Sequence, residues 1–143
     1  MHRTRPAPRC WIGTTFALLA FTLSISGYSK VLHEERSVYT RIIVEDERNL
    51  RCLKFTLVRE NSRQTCMDRN NPQRLVFDYA KMTLSALLLK PDPKRILIIG
   101  LGGGTLPMAL RDILPSTVID TVEIDEAVVR VAKRFFDLSL IHI

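Results

Sequence analysis

Gly100, Gly102 and Gly104 alternate along the stretch Ile99-Gly100-Leu101-Gly102-Gly103-Gly104-Thr105, between an apolar run and a helical pattern. Glycines between a strand and a helix N-terminus let the backbone turn tightly and let a ligand lie against it. Glu123 follows 19 residues after Gly104, at the end of the next predicted strand. A carboxylate there accepts hydrogen bonds only, which suits the two hydroxyls of a ribose. Glycine loop and acid together point to a nucleoside-containing cofactor held by Gly100, Gly102, Gly103, Gly104, Thr105 and Glu123. The bland alternative is a strand–helix turn with no ligand. A dinucleotide site wants G-x-G-x-x-G, and its last glycine falls on Thr105, so NAD ranks third. The G-x-G-x-G spacing fits an adenosyl-sulfonium cofactor of the S-adenosylmethionine type better.

These residues need a scaffold. The apolar run 95–99, a helical pattern over 105–114, a strand over 117–124 and a helix over 126–136 make a βαβ unit. Pro107 is tolerable in the first helical turn, and Asp125 is a fitting N-cap. Upstream, period-two alternation predicts a strand over 37–44, a second over 50–58 and a short third over 64–67, together a small antiparallel sheet. Leu75, Val76, Tyr79, Met82, Ala86 and Leu87 recur at helical spacing, which predicts one amphipathic helix over 72–89. Asn71 would cap it and Pro72 would open it. The expected layout is a leader over 1–26, a β domain over 37–68, a connecting helix and linker over 69–94, and a nucleoside-binding domain over 95–143.

The 143 residues carry a net charge of +6. Arg3, Arg5, Arg9 and Lys30 supply most of it, and no acid occurs before residue 31. The rest of the chain is nearly balanced, so the charge is no sign of a nucleic-acid partner. An uncharged run over 10–26 follows the basic N-terminus, the pattern of a signal peptide or signal anchor. That reading expects membrane contact and export, with a cytoplasmic location if the segment does not function as a leader. Cys52 and Cys66 could pair if the chain is exported, but two cysteines make no disulfide framework, and they read as two small buried hydrophobes. With His33 they lack metal-ligand spacing, and no metal is expected.

The stretch 95–136, with its Val122-Glu123-Ile124-Asp125 segment, Val128-Val129, Ala132 and Phe135-Phe136, resembles the spermidine synthases, the polyamine aminopropyltransferases. Phe77-Asp78-Tyr79-Ala80-Lys81-Met82 is similar to that family's F-x-Y-H-E-M pattern, and Gln64 to its cofactor-binding glutamine. The resemblance implies a Rossmann-like, class I methyltransferase-type doubly wound sheet behind a small antiparallel N-terminal domain. It implies transfer of an aminopropyl group from decarboxylated S-adenosylmethionine to a polyamine acceptor such as putrescine. In that scheme Glu123 holds the ribose, residues 100–104 and Gln64 line the cofactor, and Tyr79 faces the substrate. A homodimer is among the expected partners. Two positions depart from the pattern: Ala80 stands where the family has histidine, and Thr105 where it has aspartate. The decarboxylated cofactor ends in an ammonium, which wants an anionic partner. A neutral Thr105 at a helix N-terminus suits the carboxylate of ordinary S-adenosylmethionine instead.

Two further readings follow, a methyltransferase on the same fold and a non-catalytic, membrane-tethered module. The doubly wound sheet needs more strands than these two, and the resemblance puts the catalytic acid past residue 143. The expectation is a chain cut short, inactive and poorly soluble by itself.

Overall fold

Alternating apolar and polar residues build the first layer. The computed structural model describes residues 29–56 and 62–139. Strands β1 (Ser29–Arg36), β2 (Arg41–Glu47), β3 (Leu50–Phe55) and β4 (Arg63–Asp68) form an antiparallel sheet in the order β1-β2-β3-β4. The strand predicted from residue 37 begins at Arg41 instead. The Ser37 hydroxyl accepts from the amides of Tyr39 and Thr40, both at 3.1 Å, and bends residues 37–40 into a turn. β1 was not foreseen. Its register with β2 shifts between Val31 and His33, which breaks the period-two signal.

Antiparallel pairing sets Cys52 directly opposite Cys66, with Cα atoms 4.1 Å apart. Both are buried, as the sequence reading holds, but they form a disulfide rather than standing as separate thiols. The register puts each within bonding reach of the other, which composition alone does not reveal.

The helix expected over 72–89 is shorter and divided. Asp68 is buried, and its carboxylate accepts from the Asn49 side chain (3.0 Å), the Asn70 amide (3.0 Å) and Arg74 (3.1 Å). These bonds draw the chain after β4 into a turn that contains Pro72, and Leu75 bridges back to Met67. Helix α1 (Asp78–Leu84) therefore starts at Asp78, with no side-chain cap from Asn71. At Ser85 the hydroxyl bonds the Met82 carbonyl at 2.6 Å, and a single turn, α2 (Ala86–Leu89), follows.

Strand β5 (Arg95–Ile99) pairs in parallel with β6 (Val118–Val122), and α3 (Thr105–Ile113) connects them. Helix α4 (Glu126–Phe135) follows β6, its N-cap Asp125 accepting from the Ala127 amide at 2.9 Å. α4 lies on the antiparallel sheet. Val128, Val131 and Phe136 pack with Ile42, Val44, Leu53 and Met67 in one core. Arg51 secures this junction with two bonds to Asp46 (2.8 and 3.1 Å) and one to the Phe135 carbonyl (3.1 Å). The architecture is α/β: an antiparallel N-terminal sheet beside a parallel pair with helices. On the pair, Ile119 is buried while Leu97, Ile99, Val118 and Val122 share an exposed face.

The leader predicted over 1–26 lies outside the described residues. Among the described residues no helix is long and apolar enough to cross a membrane.

Two carboxylates give the fold an acid limit. Hydrogen bonding from Arg51 holds Asp46 below the usual aspartate range, and the Asn70 amide with the Asn49 side chain does the same for Asp68. A depressed folded-state pKa contributes stability that is fully present above the unfolded value, about 3.9, and is lost as pH falls through the folded value. Thermal midpoints are expected to stay level from neutral pH to about 5 and to drop below about 4. Asp46→Asn should start from a lower midpoint and show a shallower acid loss in thermal scans followed by circular dichroism.

Candidate functional site

The site forms where β5 and β6 end. The Gly100 amide donates to the Val122 carbonyl at 2.8 Å, so the loop leaves directly from the parallel ladder. Gly100, Gly102 and Gly104 have φ of 94°, 56° and 79°. The left-handed region costs other residues about 1–2 kcal/mol, and this accounts for the alternation of glycines. Gly104 is the N-cap of α3, and its amide donates to the Leu101 carbonyl at 3.0 Å.

The glycines divide by what surrounds them. A Cβ built on Gly100 would meet nothing within 4 Å. On Gly103 it would lie 2.4 Å from Thr65 Cγ2 and 2.9 Å from the Phe136 ring, and on Gly104 2.6 Å from Leu138 Cδ1. The second half of the loop is glycine because protein fills the space. Only the first half borders open space, which is the property expected of a ligand cradle.

Glu123 joins the two strand ends. Its Oε2 accepts from the Leu101 amide at 2.9 Å, and its Oε1 accepts from the Asp125 amide at 3.0 Å. Both carboxylate oxygens are thereby fixed, while each keeps lone-pair capacity for a further donor. This direct bond across 22 residues ties the acid to the loop, a link that the sequence reading, which gave Glu123 to the ribose, does not contain. Ile124, next in the chain, is 74% exposed.

Thr105 opens α3, and its hydroxyl lies 3.3 Å from that of Thr65 on β4. The first turn of α3 contains no acidic residue. Tyr79, 59% exposed on α1, donates its hydroxyl to the Gln64 carbonyl at 3.4 Å. The Gln64 side-chain amide donates to the Ser62 carbonyl at 3.1 Å. The structure thus brings the loop, Thr105 and Glu123 together and forms Gln64 and Tyr79 into a separate pair. Thr65 connects the two groups: it adjoins Gln64 in β4 and touches the loop. Sequence reasoning missed Thr65, Phe136 and Leu138 as partners of the glycines, because a threonine in a strand carries no sign of what it meets 40 residues away.

A cavity of about 240 Å³ opens beside α3 between Met67, Pro72, Met108 and Phe136, with Thr105 on its wall. Its lining is largely apolar. Among the described residues no group of three or more His, Cys, Asp or Glu is placed to hold a metal ion.

No family model matches the chain. It is 46% identical over 131 residues to a polyamine aminopropyltransferase of Vibrio vulnificus, covering 89% of this chain and 44% of the relative. A polyamine aminopropyltransferase of Chromobacterium violaceum is 37% identical over 95 residues, covering 66% of this chain and 35% of the relative. The human eEF1A lysine and N-terminal methyltransferase is 42% identical over 59 residues, 38% of this chain and 8% of that protein. A probable spermidine synthase from Corynebacterium glutamicum superposes with a TM-score of 0.60 at 18% identity, covering 77% of this chain and 41% of that one. A spermidine synthase solved with the transition-state analogue AdoDATO gives a TM-score of 0.55 at 24% identity, covering 76% of this chain and 35% of that one. The chain therefore spans less than half the length of the aminopropyltransferases it matches.

Proposed function

We infer, from a chain that is a spermidine synthase-like N-terminal portion, that the whole protein transfers an aminopropyl group from decarboxylated S-adenosylmethionine to a polyamine acceptor such as putrescine. The observation that carries the site is Glu123, fixed to the Leu101 amide beside an open Gly100.

Glu123 accepts the ribose hydroxyls on the lone pairs its two amide bonds leave free. Gly100 gives the sulfonium arm room to approach the backbone, and Ile124 offers the base an apolar surface. Gly102, Gly103, Gly104 and Thr105 complete the wall, with Gln64 at its edge. Tyr79, exposed on α1, faces the amine. The cofactor supplies a carbon made electrophilic by the adjacent sulfonium. The acceptor nitrogen, unprotonated, forms a C–N bond as the C–S bond breaks, the electron pair passes to sulfur, and the nitrogen then loses a proton. The chain's share is alignment, because a displacement is fastest when nitrogen, carbon and sulfur are held in line. No metal enters this scheme.

A second reading, a methyltransferase using ordinary S-adenosylmethionine, draws support from two observations. The first turn of α3 is without an acid, so nothing in it answers an ammonium. The eEF1A lysine and N-terminal methyltransferase is also among the relatives. The test is product analysis by mass spectrometry on the whole protein, supplied separately with each cofactor and with putrescine. Gain of an aminopropyl unit only with the decarboxylated cofactor supports the first reading. Gain of a methyl group only with the carboxylated one replaces it with the second.

A further inference from the structure

We infer that Thr65 is a positioning residue of the nucleoside site, through which the antiparallel sheet sets the place of the glycine loop. The inference rests on the reading of that loop as a cofactor cradle.

One side chain touches three parts of the loop. Thr65 Cγ2 fills the space where Gly103 would carry a side chain, 2.4 Å from a Cβ built there. Its Cβ lies 3.6 Å from the corresponding point on Gly102. Its hydroxyl is 3.3 Å from the hydroxyl of Thr105, the first residue of α3. The Phe136 ring closes on Gly103 from its own side, and Leu138 does so on Gly104. The second half of the loop is clamped between β4 and the segment after α4, which leaves the first half to meet the ligand.

Thr65 is itself firmly placed. It is 3% exposed, pairs across β3 with the buried Leu53, and precedes Cys66, which is bonded to Cys52. A shift of β4 is therefore transmitted to Gly102 and Gly103. From there it reaches Leu101, whose amide anchors Glu123. In a close-packed interior few voids exist to absorb such a displacement.

The two atoms that make these contacts can be removed separately. Thr65→Val keeps the branched shape and loses the hydroxyl, whereas Thr65→Ser keeps the hydroxyl and loses the methyl group. Calorimetric titration of the whole protein with decarboxylated and ordinary S-adenosylmethionine is run beside thermal unfolding and steady-state kinetics. Thr65→Val should weaken the cofactor that wild type binds by about three- to tenfold, the range for one hydrogen bond, while the acceptor KM stays unchanged. Thr105→Val, which also alters the cradle wall, should weaken binding by at least as much, and the double variant should be no weaker than Thr105→Val alone. If both Thr65 variants bind as tightly as wild type while their thermal midpoints fall, Thr65 is only a packing residue and the inference is overturned. Wild-type protein that binds neither cofactor overturns the cradle reading, and the role of Thr65 with it, a distinguishable result.

Discussion

Glu123→Gln is expected to weaken cofactor binding by about a hundredfold or more in a calorimetric titration. The carboxylate accepts from two backbone amides, at Leu101 (2.9 Å) and Asp125 (3.0 Å), and in the proposed complex also from the ribose. A glutamine side chain has only one acceptor oxygen. Its NH₂ group would face a backbone N–H on one side, donor against donor. Hydrogen bonds to charged groups contribute about 1.5–3 kcal/mol each, so losing one to the loop and weakening one to the ligand accounts for a hundredfold change. Glu123→Asp keeps the charge but shortens the arm, and should fall between wild type and Glu123→Gln. Binding of Glu123→Gln within twofold of wild type would mean that the acid only organises the loop and that the ribose is held elsewhere.

The second large effect separates stability from binding. Gly104→Ala meets two penalties together. Its φ of 79° is unfavourable for a residue with a Cβ, and the new methyl group would sit 2.6 Å from Leu138 Cδ1. Backbone strain of about 1–2 kcal/mol and overpacking of about 1–3 kcal/mol predict a loss of about 2–5 kcal/mol in denaturant unfolding. Gly100→Ala carries the backbone penalty alone, because nothing lies within 4 Å of the added atom. Its stability should fall by only about 1–2 kcal/mol. Its cofactor affinity should fall by more than that, since the methyl group enters the open cradle. Equal destabilisation by the two substitutions, with no excess loss of binding in Gly100→Ala, would contradict the division of the loop into a packed half and an open half.

What the sequence made legible is local in range or strong in type. The alternation of glycines follows from positive φ at residues 100, 102 and 104, a property each glycine carries by itself. Asp125 caps α4 through its neighbour Ala127, and helices α3 and α4 begin where the pattern places them. The apolar run that becomes β5 has the length and residue types of a parallel strand, although Leu97 and Ile99 are exposed rather than buried as such a run suggests. The errors arise where one polar side chain redirects the backbone. The Ser37 hydroxyl turns residues 37–40 aside from a strand their alternation favours. Asp68 gathers Asn49, Asn70 and Arg74, and so spends the first turns of a well-patterned helix on a loop. β1 escaped because the shift between Val31 and His33 disturbs its alternation. Within the site, the glycine loop and Glu123 were legible as residue types at a telling spacing, without the bond that joins them. Thr65 was not. Its role comes from the packing of β4 on a loop 40 residues further along the chain, and no residue type announces that contact.

The family resemblance drawn from the segments at 77–82 and 95–136 agrees with relatives and folds that cover most of this chain. What the resemblance leaves open is the arm of the cofactor. Thr105 and the acid-free first turn of α3 suit a carboxylate, whereas the proposed aminopropyl transfer calls for the decarboxylated form.

Calorimetric titration of the whole wild-type protein with decarboxylated S-adenosylmethionine, and separately with S-adenosylmethionine, tests the central claim most directly. Saturable binding of the decarboxylated cofactor at one site per chain, tighter than that of the carboxylated form, is the expected result. Binding of neither would contradict a nucleoside-cofactor site at the glycine loop and Glu123.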